Sequence, residues 1–330
     1  MLKRNFFAAI LTAVIAFGVV SCGAGSSNFT PSAADKKVVM TVGGKDVQYQ
    51  EFRYYFLNNK RDSFGEDTEL TEEQREALRE LTEDNARYSK AIETMAEKYG
   101  AKLSSEDMNA LEAYIAEYRA TECYNNDDTY RMALEAQYMT DWLFRMLQKN
   151  NTLAYRTIER MRESGVINTD DATIDALMLS DELLCIKEIY IGYNTEETKT
   201  IARSRAEKAL EALTNGEDFA EVMRDYSDYN EASMSPEHGY YTTEYEMPEY
   251  IWTAATAIAE GECSAIIESP YGYHIVMRAE KDTAYMNSIR EDIGERYASA
   301  MYAKELYSTM DTLEVEYTSY GETLELAKIS

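Results

Sequence analysis

The sequence predicts an α+β chain in which a small strand-and-helix module sits inside a mainly helical domain. Residues 185–191 alternate as a strand does, with Ile186, Glu188 and Tyr190 on one side and Ile189 and Ile191 on the other; residues 273–277 read as a second strand. Residues 71–165 carry apolar stripes at helical spacing almost without a break. Beyond residue 280 come another helical stripe and a short alternating run. Neither can bury its apolar side alone, so both are expected to return to the amino-terminal part and pack there.

The chain opens with Lys3 and Arg4, then an apolar run from Phe6 to Val20. A basic start followed by a short apolar core has the form of an export signal and is too short for a comfortable membrane span. The run ends Val19-Val20-Ser21-Cys22. A small residue directly before cysteine, after aliphatic ones, resembles a bacterial lipobox, which implies cleavage before Cys22 and lipidation of its thiol. Acyl chains contribute about 0.8 kcal/mol per buried methylene, so two or three would hold the protein lastingly on a membrane. The expected location is the cell membrane, on its extracytoplasmic side. Residues 23–37 are small and polar, as a tether should be.

With 33 basic and 60 acidic residues the net charge is −27, which argues against a nucleic-acid partner and against a basic membrane-hugging surface. Setting Cys22 aside leaves Cys123, Cys185 and Cys263, an odd number that makes no complete disulfide framework; Cys185 and Cys263 could pair only if their strands come close. Two histidines, His238 and His274, and no cysteine pair at zinc spacing give no reason to expect a metal or other cofactor.

In chain order, residues 38–42 and the segment around Val47 suit a hairpin about Gly43-Gly44, followed by a helix whose apolar face starts Phe52, Tyr55, Phe56. Thr71 and Gln74 form a capping box, and Ile92, Met95, Ala96 and Tyr99 share a face before Gly100 ends the helix. Ser104 starts another helix along Met108, Leu111, Ile115 and Tyr118. Asp127 or Asp128 precedes a third, with Met132, Ala136, Met139, Leu143 and Leu147, and the pattern continues through Leu153, Ile158 and Met161. The chain holds 16 Met and 27 Tyr, adaptable or amphipathic side chains that suit a cleft for varied unfolded segments.

In the module, Thr195 can cap a helix carrying Ala202, Ala206, Ala209, Leu210 and Leu213, which stops at Asn215 and Gly216. Asp218 caps a second, with Glu221 at the third position, and Pro248 is placed to open another. Ser269, Pro270 and Gly272 suit a type I turn feeding the last strand. After residue 280 a long helix carries Met286, Ile289, Ile293, Tyr297 and Met301, and Leu313, Val315 and Tyr317 alternate as a strand.

This order, with GEDFAEVMRDYSD, PEYIWTAATAI, GECS and GYHIV in place, resembles the parvulin family of peptidyl-prolyl isomerases over about a hundred residues. The resemblance implies a four-stranded antiparallel sheet with helices over residues 183–282, inserted into a split helical chaperone domain at 38–182 and 283–330, as in exported parvulin-type foldases. It also implies a site. His274 matches the second of the family's two histidines, and Glu188 occupies the slot of the first. Ser227 matches the serine of the YS element, and Tyr229 stands where cysteine or aspartate is usual. Tyr250 takes the place of the pocket phenylalanine, with Met247 or Glu246 at the pocket methionine. If the first and last strands are neighbours, Glu188 and His274 face each other.

Three functions follow as expectations. The first is a lipid-anchored prolyl isomerase assisting the folding of exported polypeptides. The second is a chaperone that has kept the module's fold and lost turnover, since Glu188 and Tyr229 break the family's pattern. The third is a cell-envelope interaction protein.

Overall fold

The structure, a computed structural model, describes residues 33–229 and 238–329; the expected export signal, Cys22 and most of the expected tether lie outside the described residues. The chain divides into two compact units, one comprising the described residues 33–166 and 304–329, the other Ile167–Ala303.

The first unit begins with strands β1 (Val38–Val42) and β2 (Lys45–Gln48), joined by a hairpin in which Gly43 and Gly44 both adopt positive φ. Glycine meets that demand without a Cβ penalty. Helix α1 (Tyr49–Phe64) follows directly. Helix α2 (Glu72–Tyr99) opens on the Thr71/Gln74 capping box and closes on left-handed Gly100, as expected. Val39, Met40, Phe52, Phe56 and Leu78 are buried together between the hairpin and these helices. Helix α3 (Ser105–Thr121) opens on Ser104.

The continuous third helix expected through residues 132–147 is two helices, α4 (Asp127–Glu135) and α5 (Asp141–Glu163). Its start is capped by Asn126, not by an aspartate. The break has a local cause. Tyr138 turns to φ 57°, and the Thr140 hydroxyl, buried, takes the amide of Leu143 and so starts a new helix. Met139, Leu143 and Phe144 still reach one core with Leu111, Ile115 and Tyr118, so the apolar stripe survives the break.

In the second unit, helix α6 (Asp171–Leu179) precedes β3 (Leu184–Gly192). Then come α7 (Glu196–Thr214), capped by Thr195, and α8 (Phe219–Tyr226), capped by Asp218. Strand β4 (Tyr240–Thr242), α9 (Glu249–Ala257), the two-residue β5 (Ile267–Glu268) and β6 (Gly272–Ala279) complete an antiparallel sheet of order β4-β3-β6-β5. Before β5, residues 261–264 run along β6 through backbone hydrogen bonds of Gly261 and Glu262 with Arg278 and of Ser264 with Val276, which set Cys263 opposite Met277.

One face of the sheet buries Ile189, Ile191 and Ile275 against Ala202, Ala206, Phe219 and Val222 of α7 and α8. The other buries Leu184, Ile186 and Val276 against Ile251 and Ala255 of α9. Burial of this kind contributes about 1.5–3 kcal/mol per large aliphatic side chain. Cys185 and Cys263 are unbonded: Cys185 packs with Leu183, Tyr241 and Met286, whereas Cys263 lies against the Ile189 cluster.

The expected single helix after residue 280 is also broken, into α10 (Thr283–Ser288) and α11 (Arg290–Met310), at Ile289 with φ −111° and ψ 19°. Ile174, Leu177, Met286 and Ile293 share one apolar cluster with Leu183 and Tyr241. That packing places residues 167–182 and 283–303 in the same compact unit as the sheet. The first unit resumes at Lys304 inside α11. Strand β7 (Val315–Tyr317) pairs antiparallel with β1, closing a three-stranded sheet of order β2-β1-β7, and the short α12 (Ser319–Glu322) follows.

Candidate functional site

β3 and β6 run antiparallel with Tyr190 opposite His274 and Glu188 opposite Val276. Side chains of period two put Ile186, Glu188, Tyr190, His274 and Val276 on the face that α9 covers. Gly272 is what lets the strands meet at this end. A Cβ there would lie 2.6 Å from the Ile191 carbonyl oxygen and 2.5 Å from the Tyr190 ring.

His274 is buried and held from both sides. Its Nδ1 lies 2.5 Å from Oε1 of Glu188, and its Nε2 lies 2.8 Å from Oγ of Ser269. Glu188 is 8% and His274 4% exposed, so neither group has water to fall back on. With its proton on Nδ1 the ring donates to the carboxylate; the Ser269 hydroxyl, 2.8 Å from Nε2 and 3.1 Å from the Gly272 carbonyl oxygen, has one proton to donate to one of these two acceptors. Ser269 also accepts the backbone amides of Tyr271 and Gly272, each at 3.2 Å, and so ties the turn before β6 to the imidazole.

Sequence reasoning singled out Ser269 as a turn residue and missed this second contact. Its signal was its spacing, five residues before His274 at the head of a tight turn. In the sequence Tyr190 shows only as a strand residue on the same face as Glu188.

Rings surround the imidazole. Tyr190 lies 5.1 Å and Tyr250 5.4 Å from it, centroid to centroid, and Tyr229 stacks on Tyr190 at 4.7 Å. Burial, followed by the Glu188 carboxylate and the neighbouring phenols, pushes the Tyr229 phenol up from its ordinary value. Burial also raises Tyr250. Both therefore stay neutral hydrogen-bonding groups at neutral pH.

The remaining candidates separate by role. Ser227 is engaged by backbone, accepting the Tyr190 amide at 3.1 Å and the Tyr229 amide at 3.3 Å, so it fixes the end of α8 to β3. Met247 packs on the apolar cluster of Leu184, Ile186, Ile251 and Val276, with Tyr250 and Ile267. Glu246 does not join it: its carboxylate caps Thr243 and lies 3.7 Å from Arg296. Met247 is thus the side chain that supplies apolar surface there. His238 stacks on Tyr285 at 4.0 Å, in a different cluster from His274.

A four-stranded antiparallel sheet, helices on both faces and a histidine buried in its last long strand beside an apolar floor define a protein of the parvulin class. Residues 183–280 match the PPIC-type PPIase domain, and residues 2–158 match the SurA-like N-terminal domain. The foldase protein PrsA of Clostridium kluyveri is 24% identical over 302 residues, covering 82% of this chain and 83% of that protein. The chaperone SurA of Methylobacillus flagellatus is 30% identical over 158 residues, covering 44% of this chain and 36% of that protein. The crystal structure of PrsA from Bacillus subtilis is 20% identical, with a TM-score of 0.28, covering 84% of this chain and 93% of that one. The chain belongs to the parvulin-type, PrsA/SurA-like foldases.

Proposed function

We propose that this chain is a lipid-anchored extracytoplasmic foldase whose module isomerises the bond before proline in exported polypeptides. The proposed anchor is the acylated thiol of Cys22. The helical parts at 38–182 and 283–330 hold the unfolded client, and residues 183–282 act on its prolines. The observation that carries the isomerase reading is the chain Glu188–His274–Ser269, buried beneath tyrosine rings and next to the Met247 cluster.

Rotation about the bond before proline faces a barrier of about 18–20 kcal/mol and needs neither proton transfer nor a covalent step. The site has only to bind the twisted amide more tightly than either planar form. Met247 and Tyr250 grip the proline ring. The Tyr229 hydroxyl stands beside the rotating carbonyl, where other parvulins place a thiol or carboxylate. His274, with both nitrogens engaged, is a positioning residue, and Glu188, Ser269 and Ser227 hold it and its surroundings in register. A protease-coupled proline-peptide assay tests this reading. His274→Ala and Tyr250→Ala should each lower kcat/KM at least tenfold, and unchanged values would discard it.

A second reading, a holdase with little or no turnover, is favoured by the large side chains that the helical unit leaves exposed, among them Tyr114, Met132, Trp142 and Tyr155. Large side chains left in water can take up the apolar groups of an unfolded chain. If His274→Ala suppresses client aggregation as well as the parent chain does, holding is independent of the module's site.

A further inference from the structure

We infer that the site selects proline peptides carrying a basic side chain on the residue immediately before the proline. The inference rests on the isomerase reading of the same site and names the substrate class it takes.

Tyr190, Tyr229 and Tyr250 gather their rings around His274, with the Glu188 carboxylate at the base. Aromatic faces are negative, and a cation within about 6 Å of a ring centroid is drawn to them. Elsewhere in this module such faces carry a cation from the chain itself. Arg296 lies over Tyr240 at 5.1 Å, Arg203 over Tyr273 at 5.5 Å and Lys199 over Tyr193 at 5.3 Å. Among the described residues, no Lys or Arg is placed over Tyr190, Tyr229 or Tyr250 in this way. Arg205, nearby in the fold, is tied to Asp228 and to the Tyr226 carbonyl.

Tyr229 is 41% exposed, so the stack has an open side. When the proline ring lies on the Met247 and Tyr250 surface, the preceding Cα is about 3.8 Å further along the chain or less. Tyr250 and Tyr190 both neighbour His274, at 5.4 and 5.1 Å, and Tyr229 stacks on Tyr190, so a long side chain on that preceding residue has these rings as its nearest partners. A net charge of −27 favours the approach of cationic peptides from a distance.

The test uses the full chain and four matched tetrapeptides differing only before proline: Lys, Arg, norleucine and Glu. The Lys and Arg peptides should exceed norleucine in kcat/KM by about threefold to thirtyfold, as a cation over ring faces supplies, and the gap should shrink as salt is added. Whatever happens to the absolute rate, the Lys-to-norleucine ratio should fall to about one in Tyr229→Leu and persist in Tyr229→Phe. Turnover with equal rates for Lys and norleucine, or a preference for Glu, overturns the inference and leaves the isomerase reading standing. No turnover on any peptide, with Lys still bound more tightly than norleucine in a tyrosine-fluorescence titration, overturns the isomerase reading and supports the preference. Neither turnover nor a difference in binding overturns both.

Discussion

Glu188 meets His274 along a diagonal of the sheet. The strands set Tyr190 opposite His274 and Val276 opposite Glu188, yet Glu188 Oε1 lies 2.5 Å from His274 Nδ1. Diagonal neighbours on one face are within reach of long side chains, and here the reach brings the Glu188 carboxylate to the imidazole. Glu188→Ala should leave a buried imidazole short of one partner and cost about 2–4 kcal/mol. Glu188→Gln, which keeps an acceptor, should cost less. Chemical denaturation followed by His274 ring NMR signals checks the order of the two.

Ser269 holds the other side of the ring and the turn at once. Ser269→Ala should lower stability by about 1–3 kcal/mol through groups left unsatisfied. It should also speed hydrogen exchange at Tyr271 and Gly272, whose amides it accepts. Exchange unchanged at those two amides would mean that the turn does not depend on the hydroxyl.

Gly272→Ala tests whether the close strand approach is required. The added methyl meets the backbone of Ile191, which cannot yield as a flexible side-chain end can. The expected outcome is a loss of about 2–4 kcal/mol, with exchange protection lost first in β3 and β6. Full protection would show that the strands have room.

In the helical unit, Thr140→Ala should cost about 1–2 kcal/mol. It removes both the cap on the Leu143 amide and a buried contact to Gln50. Thermal unfolding followed by circular dichroism reads it. A change near zero would show that the break between α4 and α5 is set by packing alone.

Alkaline stability follows from Tyr241. Burial pushes its phenol up to about 12 from the ordinary 10.0. A phenol whose folded value is raised favours the folded state fully below the unfolded value, and that contribution is lost as pH rises through the folded one. The module should therefore weaken between pH 10 and about 12, and Tyr241→Phe should weaken less across that window. Denaturant midpoints taken at each pH measure it.

Much of this was legible because the signals were local. Thr71 with Gln74, Ser104, Thr195 and Asp218 mark helix starts by hydrogen bonds within four residues, and all four cap helices. The alternation around Glu188 gave its face of the strand, and the antiparallel pairing of β3 and β6 brings it to His274. What stayed hidden depends on tertiary contact. The apolar stripe through Met132 and Leu143 is continuous in sequence, so it did not reveal the break that Thr140 makes. The choice between Glu246 and Met247 turned on a capping bond to Thr243 that spacing does not show. Ser269 looked like a turn residue because its reach to His274 is visible only once the turn is folded.

The most direct measurement is two-dimensional exchange NMR on an Ala-Pro tetrapeptide with catalytic amounts of the full chain. Cis–trans exchange cross-peaks, absent for the peptide alone and greatly weakened with His274→Ala, are the predicted result. A spectrum identical to that of the free peptide would contradict the claim that this buried histidine and its ring of tyrosines turn a proline bond.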